Sequence, residues 1–118
     1  MDDFKGKTVL VTGGSRGLGE AFCHKFAELS CRVFVNYAHG REAAEQVAAE
    51  IGGTAVSCDI SSEDSVKAMF RQIGGGDLLG NNARIDPYKR GEGVSDGTWW
   101  DEVMSVNLKG AYLCGKFA

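Results

Sequence analysis

The chain has 118 residues, 43% of them apolar, and a formal net charge of -3, which bounds it to one domain able to bury a core without covalent staples. The acidic balance argues against a nucleic-acid coat, and no apolar run approaches the roughly 20 residues of a membrane span, so neither nucleic acid nor membrane is an expected partner. The opening MDDFKGK has no apolar stretch behind its charges and does not read as a secretory leader.

KTVLVT (7–12) is a short β-branched run ending in a glycine turn, as a buried strand does. From there Leu18, Phe22, Phe26 and Leu29 follow helical spacing. CRVFVNY predicts a second strand, followed by a helix with Ala43, Ala44, Val47, Ala48 and Ile51 on one stripe, ended by Gly52-Gly53. TAVSCDI reads as a third strand. In SSED, Ser61 is the expected cap, with Asp64 returning the bond, of a helix carrying Val66, Met69, Phe70 and Ile73. GGGDLLGNNA predicts a turn and a fourth strand, weakened by Gly80. Residues 84–97 are polar, glycine-rich and contain the only proline, Pro87, so they read as a loop. The last segment places Trp99, Val103, Val106, Gly110, Leu113 and Phe117 on one helical face, with Thr98 as its cap. Strands alternate with helices from start to finish, which predicts an α/β fold with parallel strands and right-handed crossovers.

Cys23, Cys31, Cys58 and Cys114 form no CxxC pair and fall in or beside apolar segments, which predicts buried free thiols in a reducing cytoplasm. His24 and His39 lack ligand-spaced partners, so no metal site is expected.

TVLVTGGSRGLGEAF (8–22) carries the chemistry. A strand, a glycine turn and a helix set the helix's unpaired N–H groups at the carboxyl end of the sheet, where they and the helix dipole favour a phosphate. Glycine is needed where a side chain would block a pyrophosphate or hold helix and strand apart. Such a turn can also serve packing alone, but its place between strand and helix favours a ligand. The spacing is GxxxGxG, not GxGxxG, and no Gly-Lys-Ser/Thr of a P-loop follows.

TGGSRGLG resembles the TGxxxGxG signature of the short-chain dehydrogenases/reductases. CDI (58–60) is similar to the family segment after the third strand that contacts adenine. NNA (81–83) resembles the NNAG at the end of the fourth strand, and VNLKGAYL the helix bearing the active-site asparagine, here Asn107. Four ordered matches across nearly the whole chain are specific, and within the family the look is nearest to 3-oxoacyl-(acyl-carrier-protein) reductases and related carbonyl reductases. The resemblance implies a Rossmann-type doubly wound parallel sheet, a small carbonyl or alcohol substrate and a homo-oligomer. It implies a cofactor held by Gly13, Ser15, Arg16, Gly17, Leu18, Gly19, Tyr37, Asp59, Ile60, Asn82 and Ala83, with Asn107 catalytic.

An acid about 20 residues after the glycines would pair with the ribose 2′-hydroxyl of NAD. Here the end of the second strand reads NYAHG, with no carboxylate before Glu42, and Arg16 offers a fork to a 2′-phosphate. NADP is therefore the expected cofactor. Carbonyl reduction also needs a proton donor, in this family the tyrosine of a Y-x-x-x-K pair, with a serine orienting the carbonyl. Tyr112 and Lys116 spell that pair, but Tyr112 follows Asn107 by only five residues, on the same helix, whereas the family sets a strand and a loop between them. The expectation is thus the NADP-binding front portion of a longer oxidoreductase, truncated after the fourth strand and following helix, lacking the family's serine, tyrosine and lysine and inactive alone. Arg84 stands where the family has the NNAG glycine, and Gly80 where it has a branched apolar residue. Two alternatives stay open: a non-catalytic nucleotide-binding or interaction module, and a fragment that binds nothing. With the fourth strand at an edge, self-association is expected.

Overall fold

A computed structural model describes residues 2–118. Four strands, β1 (Thr8–Val11), β2 (Arg32–Tyr37), β3 (Thr54–Ser57) and β4 (Leu78–Gly80), form one parallel sheet in the order β3-β2-β1-β4. The central strands are nearly unbroken apolar runs because a parallel sheet is covered on both faces. Alternation along them divides the core in two. Val9, Val11, Val33 and Val35 pack with Cys23 of α1 (Gly17–Glu28) and with Ala44, Val47 and Ala48 of α2 (Arg41–Ile51). On the opposite face, Leu10, Phe34 and Val56 meet Val66, Met69 and Phe70 of α3 (Glu63–Ile73) and Leu113 and Cys114 near the chain's end. The fold is the expected Rossmann-type doubly wound α/β sheet.

After β3 the chain returns across the sheet to set β4 on the free side of β1. Asp77 fixes that register by exchanging bonds with Thr8: its carboxylate accepts from the Thr8 N–H at 2.9 Å and its own N–H donates to the Thr8 carbonyl at 2.9 Å. The strand order therefore reverses between β1 and β4, and in open α/β sheets ligands bind at the carboxyl ends beside such a reversal.

Helix ends differ from the sequence reading in two places. The cap of α3 is Ser62, not Ser61: the Ser62 hydroxyl accepts from the Ser65 N–H at 3.3 Å, while Ser61 turns back onto Asp59. The last helix starts at Asp96 on a Ser95 cap, with Thr98 N–H donating to the Ser95 hydroxyl rather than Thr98 capping. In α1 the buried residues are Gly19 and Cys23, whereas Leu18 and Phe22 of the expected apolar stripe are exposed. Small residues are needed where α1 crosses the glycine turn, so the helix rolls its large side chains outward.

The final helical run is α4 (Asp96–Met104), a π-helical turn over Ser105–Gly110 and α5 (Ala111–Phe117). Gly110 lies against Ile60, where a Cβ would sit 2.7 Å from Ile60 Cγ1, so a side chain here would have to displace Ile60 after β3. Trp100, Leu108 and Tyr112 face outward. No helix among the described residues is long and apolar enough to cross a membrane.

Candidate functional site

The glycine turn is built from two kinds of glycine. At Gly13 (φ 62°) a Cβ would lie 2.9 Å from Ala83 Cα, and at Gly19 it would run into the Gly13 carbonyl and lie 2.5 Å from the Asn82 amide nitrogen. These two allow β1, α1 and the end of β4 to touch. Gly17 (φ 57°) is different, since a Cβ there would meet nothing within 4 Å. It supplies a left-handed backbone and leaves the approach to the start of α1 clear. Arg16 is the N-cap of α1 and makes no side-chain cap bond, so the dipole's positive end faces that clear space.

Three polar side chains hold the turn in place. Asn36, buried at the end of β2, accepts from the Gly13 N–H at 3.2 Å and donates to the Val56 and Cys58 carbonyls at 3.4 Å. The Thr12 hydroxyl accepts from the N–H groups of Asn82 and Ala83, each at 3.0 Å. The Asn82 amide donates to the Thr12 and Gly13 carbonyls at 3.2 and 3.1 Å. No buried side-chain polar atom among the described residues lacks a partner, so the turn is rigid and pre-formed.

Above it a cavity of about 1040 Å³ runs along the carboxyl ends of all four strands. At the β2 and β3 side it is lined by Tyr37, Ala38, His39, Asp59 and Ile60, in the middle by Gly13, Ser15, Arg16, Leu18, Asn82 and Ala83, and at the β4 side by Arg84, Ile85, Glu102 and Val106. The Ser61 hydroxyl and N–H donate to Asp59 at 2.6 and 3.0 Å and hold its carboxyl below the usual range, so it stays ionised. Arg16 reaches toward the start of α2: a Cβ on Gly40 would be 3.0 Å from its terminal nitrogen.

Asn107 lies within the π-helical turn, just outside the cavity lining. Its oxygen accepts from the Ile85 N–H at 2.6 Å and its nitrogen donates to the Ile85 carbonyl at 2.8 Å, so one side chain grips both sides of one residue's backbone. Asn81 supports the same run by donating to the Ala111 carbonyl at 2.8 Å. A π-turn shifts the side chains that follow it relative to an α-helix, which explains how one helix satisfies Gly110 against Ile60 and Asn107 against Ile85.

Residues 7–118 match the family described as short chain dehydrogenase. The chain belongs to that family. Among curated relatives it is 38% identical to a peroxisomal hydratase-dehydrogenase-epimerase of Neurospora crassa, over 98% of this chain and 13% of that protein. It is 37% identical to a 3-oxoacyl-[acyl-carrier-protein] reductase of Staphylococcus aureus, over 92% of this chain and 47% of the reductase. Among solved structures, a 3-ketoacyl-(acyl-carrier-protein) reductase from Brucella melitensis complexed with NADH superposes with a TM-score of 0.83 at 32% identity, covering 97% of this chain and 49% of that one. The chain thus spans half or less of the length of these relatives.

Of the eleven residues expected to hold a cofactor, nine line the cavity; Gly17 and Gly19 do not. Tyr112 is exposed and does not line the cavity; it borders a neighbouring groove with Met104, Leu108 and Lys109 that meets the cavity at Ser105. Asn36 and Thr12 are the residues that sequence reasoning passed over. A polar residue in an otherwise apolar buried strand is the signal that could have found Asn36. The expectation that His24 lacks ligand-spaced neighbours is corrected: its Nε2 lies 3.6 Å from Glu20 and 3.3 Å from Glu50, tying α1 to α2 at the surface. All four cysteines are free, and Cys31, unlike the other three, is only half-buried.

Proposed function

We propose that this chain is the nucleotide-binding part of an NADP(H)-dependent oxidoreductase that interconverts a carbonyl and an alcohol. The observation that carries this reading is the start of α1, free of a side-chain cap at Arg16 and bordered by Ser15, Arg16 and Leu18 of a cavity that continues past β2 and β3. That cavity is at the upper end of the range for cofactor sites. When bound, the cofactor supplies the hydride.

The chain's own residues bind and orient. The first N–H groups of α1 receive the pyrophosphate, and Tyr37, Asp59 and Ile60 border the adenosine. Arg16, extended over Gly40, supports a 2′-phosphate, as does the absence of any acid from Asn36 to Gly40. Asn107 positions the segment after β4 through Ile85. A 3-oxoacyl substrate is the class that the reductase relatives favour, the free thiols suit a cytoplasmic setting, and the exposed face of the last helical run suits a homo-oligomer. Binding without turnover by this segment alone is the second reading, favoured by the position of Tyr112 outside the cavity.

Calorimetric titration with NADPH and NADH at low ionic strength tests the proposal. NADPH is expected to bind about tenfold more tightly, on the order of one charge-assisted pair, and Arg16→Ala to erase the difference. Equal affinities overturn the NADP assignment, and no binding of either nucleotide overturns the nucleotide reading.

A further inference from the structure

Arg84 is the one long cation on the β4 side of the cavity, and no role follows for it from the site as described. Its backbone is fixed from both flanks. On one side Ala83 donates its N–H to Thr12 at 3.0 Å and packs against Gly13. On the other, Ile85 is held through both its N–H and its carbonyl by Asn107. The residue that carries the guanidinium is therefore held between the glycine turn and the π-helical turn. The cavity exists with Arg84 in its wall, so the residue does not plug it. Among the described residues Arg84 has no ion-pair partner within 4.0 Å, and the two acids that share the lining differ in availability. Asp59 is occupied by Ser61 at the far end, while Glu102 lies on the Arg84 side.

We propose that Arg84 is a second anion anchor of the cavity, closing on the pyrophosphate of the nucleotide from the β4 side while the start of α1 holds it from below. The inference rests on the nucleotide reading above and adds a residue to it. Arg16 and Arg84 then divide the work. Arg16 reads the 2′ position beyond β2, and Arg84 adds affinity that does not distinguish NADPH from NADH. A guanidinium suits this place because its planar fork matches two phosphate oxygens and it never loses its charge.

The test compares the unsubstituted 118-residue chain with R84A and E102Q by titration with NADPH, ADP-ribose and 2′-AMP, which has no pyrophosphate. R84A is expected to weaken NADPH and ADP-ribose by about fivefold at low salt, the scale of a partly exposed charged contact, and to leave 2′-AMP unchanged. The loss shrinks at high ionic strength. Four results overturn the proposal: unchanged or tighter NADPH binding by R84A, a loss confined to NADPH and absent with ADP-ribose, an equal loss with 2′-AMP, or the same loss in E102Q, which would assign Arg84 to Glu102. If the unsubstituted chain binds NADPH while R84A behaves normally, only the role of Arg84 falls. If the unsubstituted chain binds no nucleotide, the nucleotide reading falls and takes this one with it.

Discussion

At Gly19 a methyl group would run into the Gly13 carbonyl, whereas at Gly17 it would enter open space. Substitution therefore separates two roles that one spacing pattern merges. Gly19→Ala overpacks the junction of β1, α1 and β4 and should cost about 1–3 kcal/mol of stability. Gly17→Ala bears only the left-handed backbone penalty, about 1–2 kcal/mol, yet should weaken NADPH binding about tenfold in protein that is still folded. Denaturant titration and calorimetry on both variants check this, and full NADPH affinity in folded Gly17→Ala would sink the proposed phosphate site. The sequence showed that glycine is required here but not which neighbour requires it. Contact with Ala83 and Asn82 depends on residues some 70 positions away, beyond the reach of any local pattern.

Elements were legible where periodicity was strong and less so where a helix adapts to its neighbours. β1 to β4 and α1 to α3 follow from apolar runs, glycine ends and stripes, and α2 ends at Gly52 in the left-handed conformation as expected. The stripe of α1 misled because close approach selected Gly19 and Cys23 over Leu18 and Phe22. The π-turn at Ser105–Gly110 was invisible, since nothing in SVNLKG breaks helical spacing. It arises from tertiary demands at both ends, which gives it a test. Asn107→Ala removes two bonds to Ile85, each worth about 1 kcal/mol, and should speed hydrogen exchange at the Ile85 amide. Asn107→Asp keeps the acceptor and should fall between. Unaltered Ile85 exchange in Asn107→Ala would mean that the segment after β4 is held by other contacts.

Across the whole molecule, the two faces of the sheet each bury a thiol that resists ionisation. Burial, aided by Glu20, pushes Cys23 up to about 11, and burial, aided by Cys58, does the same for Cys114, from an ordinary 9.0. The unfolded chain loses these protons first. Their contribution to stability is thus intact below pH 9 and lost as pH rises toward about 11. The denaturation midpoint should fall over that window, and the fall should be shallower in a Cys23→Ala, Cys114→Ala double variant; parallel slopes would show that other groups govern alkaline unfolding. Asn36 adds a consequence of another kind. Its single amide ties the glycine turn to the rims of β2 and β3, so the ligand cradle is finished only when three non-adjacent lengths of chain have docked. A nascent or partly melted molecule has no half-formed cradle to offer, and on the proposed nucleotide reading occupancy would report that the sheet is whole.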